Sequence, residues 1–85
     1  MEKQFKLEIL SQESKIFEGD VVSLVVPAKL GFLGVLANHA PLICSLTSGK
    51  IVLRESSGKS TPIAVNSNGF LRVFNNQATI LLGSA

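Results

Sequence analysis

Polar and apolar residues alternate along most of this 85-residue chain. At the start, Phe5, Leu7 and Ile9 are separated by Lys6 and Glu8, the period-two signature of a half-buried strand. A short second strand is read around Lys15–Phe17, closed by a turn at "EGD" (18–20). The run "VVSLVVP" (21–27) is β-branched and almost wholly apolar, which predicts a strand covered on both faces or nearly so. Further strands are predicted over Leu42–Leu46, Lys50–Glu55, Pro62–Val65, Phe70–Phe74 and Ala78–Leu82. Pro62 lacks a ladder donor, so it belongs at a strand start or on an edge. The intervening "TSGK", "SSGK", "NSNG" and "NNQ" are turn chemistry. No window of a dozen residues sustains helical periodicity. The pattern predicts a single all-β domain over residues 1–85, an antiparallel β-sandwich or flattened barrel.

One segment breaks the alternation. "PAKLGFLGVLANHAPL" (27–42) mixes Leu30, Phe32, Leu33 and Leu36 with Gly31, Gly34 and Pro41, and reads as a loop. Loops normally run over the wet surface, so apolar side chains here need a reason. Either the segment folds back to cap the core, or it is docking surface for another protein.

Composition adds to this. Hydrophobic residues make up 46% and charged residues 16% of the chain, against about a quarter charged in ordinary domains. The core is therefore generous, or part of the surface is covered. There is one cysteine, Cys44, so no disulfide can form within the chain. One Cys with one His, His39, also rules out a Cys2His2 zinc site. The net charge of +2 comes with scattered lysines and arginines and no basic run, which does not argue for nucleic acid. No stretch approaches the ~20 apolar residues of a membrane-spanning helix. The N-terminus lacks the apolar core and cleavage site of a signal peptide. The expectation is an intracellular protein that meets a membrane only through partners.

The candidate chemistry is thin. A Ser–His–Asp arrangement would need His39 with Asp20, the only aspartate, which sits in the turn read at 18–20. Cys44 follows His39 by five residues, but "LICSL" reads as a strand carrying a small buried thiol. "GKS" (58–60) lacks the earlier glycine of a phosphate loop, because position 53 is Leu53, and a strand rather than a helix follows. Phe70, Arg72 and Phe74 share one strand face, the makings of a stacking platform in a small nucleic-acid-binding β-barrel. With no Trp or Tyr in the chain, core packing of the two phenylalanines is the preferred reading. No catalytic, cofactor or metal site is predicted.

A family resemblance joins these fragments. "VVPAKLGFLGVLANHAPLICSLTSGKIVL" is similar to the "VVP" strand, glycine-rich loop and "GVLPGHAPLL" pattern of the epsilon subunit of F-type ATP synthases. "IAVNSNGFLRVFNNQATILLGSA" resembles that family's closing pattern, and "FKLEILSQESKIFEGDVVSLVVP" its opening strands. The resemblance implies a β-sandwich of about ten strands with no active site and no cofactor. It implies a place in the central rotor stalk, where the domain joins the gamma subunit to the c-ring and couples ion-driven rotation to ATP synthesis. That complex sits peripherally on the cytoplasmic face of the bacterial inner membrane. Carried over by position, the gamma-binding surface comprises Ser11, His39, Ala40, Pro41, Leu42 and Cys44, with Ser67 and Asn68 in the loop matching the family's "SGG". The c-ring-facing loop comprises Lys29, Leu30, Gly31, Phe32 and Leu33.

This sequence departs from the family at three points. Leu30 and Phe32 stand where many members carry acidic residues, which favours an apolar ring contact. The family's "PGH" is "ANH" here, so Asn38 is expected to supply the left-handed backbone position before His39. Typical members continue into two C-terminal helices that restrain ATP hydrolysis, whereas this sequence stops at Ala85. A naturally short subunit without helix-based inhibition is the favoured expectation.

Overall fold

Strands form wherever alternation gives the chain one face to bury. The computed structural model describes residues 3–83. It contains nine strands: β1 (Phe5–Leu10), β2 (Lys15–Val21), β3 (Ser23–Ala28), β4 (Gly31–Leu36), β5 (Leu42–Leu46), β6 (Gly49–Arg54), β7 (Ser60–Val65), β8 (Gly69–Phe74) and β9 (Gln77–Leu82). Nine replaces the expected ten. Their order is β2-β1-β9-β8-β5-β3-β6-β7, with β4 added on β3. All pairings are antiparallel except β1 with β9, which run parallel and lay the first and last strands side by side.

The sheet creases where β5 meets β3, which touch through the single register pair Ala28↔Leu46. The crease makes two layers, β2-β1-β9-β8-β5 and β4-β3-β6-β7. Between them lie Leu7, Ile9, Leu46, Leu71 and Ile80 from one side and Leu24, Val26, Val35, Ile51 and Leu53 from the other, all essentially sealed from solvent. Each such aliphatic side chain contributes roughly 1.5–3 kcal/mol on burial.

Three readings of the sequence need correction. "VVSLVVP" is not one strand covered on both faces: Val21 ends β2, Val22 turns the corner between layers, and β3 starts at Ser23. Val25 is part-exposed on its outer face. Nor is "EGD" a turn, since β2 runs through it to Val21 in register with β1. The Phe17 ring folds over Gly19, 3.3 Å from where a Cβ would lie. Finally, part of the supposed loop 27–42 is strand β4, in full register with β3. Pro62 does lie on an edge strand, β7, as expected.

Register also explains the outer surface of the first layer. Glu8 and Glu18 lie directly opposite each other, a destabilising like-charge pair by itself. Lys15 resolves it, with Nζ 2.7 Å from Glu18 and 3.5 Å from Glu8. The hydrogen bond from Lys15 holds the Glu18 carboxyl below its ordinary pKa.

Two glycines separate space from flexibility. At Gly69 a Cβ would lie 2.5 Å from the Leu81 carbonyl oxygen, whereas at Gly34 it would meet nothing within 4 Å. Gly69→Ala should therefore cost about 1–3 kcal/mol in urea denaturation. Gly34→Ala should be neutral or slightly stabilising. Equal effects would contradict the close approach of β8 and β9.

Candidate docking surface

Loop geometry sorts the predicted site residues to two ends of the sandwich. At one end, Lys29 and Leu30 form the β3–β4 turn, and the 11–14 turn and the 66–68 loop gather beside it. At the other end lie the 37–41 loop, the Asn75-Asn76 turn and Gln4. Ser11, Ser67 and Asn68 therefore share an end with Lys29, Leu30 and Gly31. His39, Ala40 and Pro41 occupy the opposite end. Five-residue β5, about 17 Å long at 3.3–3.4 Å per residue, connects the two and carries Leu42 and Cys44.

Several of these polar groups already have partners. The Ser67 hydroxyl donates to the Gly83 carbonyl at 2.8 Å, and the Gly83 amide donates to the Asn68 carbonyl at 2.9 Å. Ser11 Oγ closes its own turn on the Ser14 carbonyl at 3.1 Å. His39 Nδ1 lies 2.7 Å from the Ala40 carbonyl. Because a carbonyl only accepts, Nδ1 must carry the proton, which leaves Nε2 as the ring's remaining polar atom. Asn38 has φ 62°, the left-handed conformation expected of it.

The apolar residues divide by parity. On β4, Leu33 packs against the core and Val35 is buried within it, while Phe32 and Leu36 face out. Leu30, at the turn, is fully exposed. The segment thus does both things the sequence left open, covering core with one face and presenting apolar surface with the other. On β5, Leu42 and Cys44 pack against the core, and Ile43 between them is 73% exposed. A groove of about 410 Å³ runs between the hairpin tip and β5, lined by Leu30, Phe32, Leu33, Leu42, Cys44 and Ser45 among others. Positions assigned by resemblance to two different partners therefore line one groove.

Phe70 and Phe74 are not core residues. They are 56% and 49% exposed on the outer face of β8, with the Arg72 guanidinium 5.7 Å from the Phe74 ring centre. Leu71 and Val73 take the inward positions. Arg72 itself was the missed signal, because a face that carries an arginine between two phenylalanines is an outer face. Cross-strand register sets Phe70 opposite Ser45 and Leu81, and Ile43 opposite Arg72, so Ile43, Phe70 and Leu81 extend the apolar surface beyond β5. Sequence reading also missed Ile43.

Neither Cys44 nor Asp20 is set up for nucleophilic chemistry with His39 among the described residues. Burial pushes the Cys44 thiol above its ordinary pKa, the opposite of what a thiolate nucleophile needs. Asp20 lies in β2, opposite Lys6.

Comparison with known proteins agrees with the fold and the motifs. The pattern of the family described as ATP synthase, Delta/Epsilon chain, beta-sandwich domain matches residues 4–85. An ATP synthase epsilon chain of Dichelobacter nodosus is 40% identical over 85 residues, covering all of this chain and 59% of that protein. That of Pelotomaculum thermopropionicum is 43% identical over 84 residues, covering 99% of this chain and 61% of the relative. The chain thus spans about 60% of the length of these relatives. In fold it resembles a chain of the Euglena gracilis mitochondrial ATP synthase structure containing OSCP, F1 and c-ring. That match has a TM-score of 0.87 and 23% identity, over 93% of this chain and 50% of the other. A chain of the Tetrahymena thermophila mitochondrial ATP synthase central stalk and c-ring structure matches with a TM-score of 0.78 and 11% identity, over 98% of this chain and 66% of the other.

The Cys44 environment has a measurable consequence. A raised pKa means less thiolate at neutral pH, so alkylation by iodoacetamide should be slower in the folded protein than in urea. Its rate should still be climbing above about pH 8.5, where an ordinary cysteine is half ionised. Faster labelling of the folded form would contradict the burial.

Proposed function

The chain belongs to the ATP synthase delta/epsilon family through its β-sandwich domain, and from that premise we propose that it is a non-catalytic subunit of the central rotor stalk. In this reading it joins the gamma subunit to the c-ring and transmits ion-driven rotation to ATP synthesis. It stays peripheral to the membrane, on the cytoplasmic face of a bacterial inner membrane, and reaches it only through the complex.

One observation supports the reading above others: an apolar tract is formed by the groove between the hairpin tip and β5. Leu30, Phe32 and Leu33 line it on one side and Leu42 and Cys44 on the other, with His39, Ala40 and Pro41 beyond the Leu42 end of β5. A partner covering this tract must lie along the strand and not merely touch a loop. Gamma fits that requirement in the positions matched to the family: His39, Ala40, Pro41, Leu42 and Cys44 along the tract, and Ser11, Ser67 and Asn68 beside its start. The ring contact falls to Lys29, Leu30, Gly31, Phe32 and Leu33, and is apolar in character.

The exposed Phe70–Arg72–Phe74 row keeps nucleic-acid binding as a second reading. Backbone binding would reveal itself by steep salt dependence. Titration of a labelled single strand at low salt should show no saturable binding.

Calorimetric titration with the gamma subunit tests the main reading. His39→Ala should weaken binding by about 5- to 30-fold, and His39→Ala combined with Leu42→Ala by more, since Leu42 lines the groove. Unchanged affinity in both variants would overturn the docking surface. Capture by a solubilised c-ring should survive a rise from about 0.05 to 0.5 M salt and fail with Phe32→Glu. Loss at high salt would mean that the contact is electrostatic.

A further inference from the structure

The β8–β9 hairpin turns on two asparagines, Asn75 and Asn76, both left-handed at φ 52° and 59°. Turns of this kind favour Gly at the second position, and Asn-Gly is their common form. Asn at 76 keeps a side chain that Gly would lack, and both ends of that side chain are hydrogen-bonded. Its Oδ1 accepts the Asn38 backbone N–H at 2.7 Å, and its Nδ2 donates to the Gln4 carbonyl at 3.0 Å. Reversing the amide would put donor against donor and acceptor against acceptor, so the two partners fix its orientation. The bonds join segments 38 and 72 residues apart in sequence.

The bond to Asn38 falls where the 37–41 loop is least comfortable. Asn38 is itself left-handed, immediately before His39. The hydrogen bond of His39 runs to Ala40, inside the loop, and so cannot anchor it to the body of the domain. Ala37 packs on the core on one side, and Leu42 starts β5 on the other. Asn76 ties down the residue at which the backbone reverses.

We propose that Asn76 is a positioning residue for docking: its carboxamide holds Asn38 left-handed and so sets His39, Ala40 and Pro41 in the orientation that meets gamma. This inference rests on the docking reading of the loop. It assigns the turn opposite the loop a role that its own exposed surface does not suggest.

Two substitutions separate the parts. Asn76→Gly keeps the turn and removes both hydrogen bonds, whereas Asn76→Asp keeps the acceptor for Asn38 and loses the donor to Gln4. In the protein alone, amide exchange followed by NMR should show Asn38 exchanging about tenfold faster in Asn76→Gly, with the amides of Leu53 and Ile80 unchanged. In Asn76→Asp, protection of Asn38 should return. Gamma affinity should drop several-fold in Asn76→Gly, recover in Asn76→Asp, and fall no further when His39→Ala is added to Asn76→Gly. Unaltered exchange at Asn38 overturns the clamp. Faster exchange with full gamma affinity, while His39→Ala alone still weakens binding, overturns the positioning role and leaves the docking reading standing. If His39→Ala is also without effect, the docking reading falls and the positioning role falls with it.

Discussion

Parity is the constraint on which this molecule depends. The core is built from apolar side chains, Phe5 and otherwise aliphatic ones, contributed mostly by every second residue of short strands, and the two layers face each other across it. Once Leu71 and Val73 point inward, Phe70, Arg72 and Phe74 must point outward, whatever their chemistry. The same rule turns Ile43 out between Leu42 and Cys44, and Phe32 and Leu36 out beside Leu33 and Val35. The apolar surplus in the composition is therefore not a larger core. It is surface that the alternation cannot hide, and β4 and β8 carry the largest share of it.

Ends and turns then decide where that surface becomes useful. Parity fixes faces but says nothing about where loops go. Here the loops are held by a few directional bonds: Asn76 at one end, and Ser67 and Asn68 on Gly83 at the other. These bonds join residues far apart in sequence, so each loop inherits the rigidity of strands it does not belong to.

Much of the fold was legible because inward positions on most strands are aliphatic and their neighbours polar. Pro62 on an edge followed from backbone chemistry, and Asn38 in a left-handed conformation from the family resemblance, where "ANH" replaces "PGH". The misreadings share a physical origin. β4 has apolar residues on both faces, so its alternation vanishes and it reads as a loop. Glu18-Gly19-Asp20 has turn composition, yet the Phe17 ring folds over Gly19 and the strand continues. The lack of Trp and Tyr favours core packing for Phe70 and Phe74, although Arg72 on their face points the other way. In the proposed site, motif positions located the loops. The sequence could not show that those positions divide between two ends, because that depends on the β1–β9 and β5–β8 pairings.

The strand that hid its alternation is also the one whose edge is least protected. β2 and β7 end the order of strands, and each is blunted: β2 by Lys15, Glu18 and Asp20, β7 by Pro62. β4 pairs with β3 along one side only, yet carries Phe32 and Leu36 exposed and no charge at all. An unblunted apolar edge invites pairing with other chains, and the other two edges show that this chain has the means to prevent it. The difference has a physical explanation if the β4 side of the domain is covered in the working assembly. The loss of alternation and the absence of edge protection would then have one cause, a strand shaped for a partner as well as for its own core.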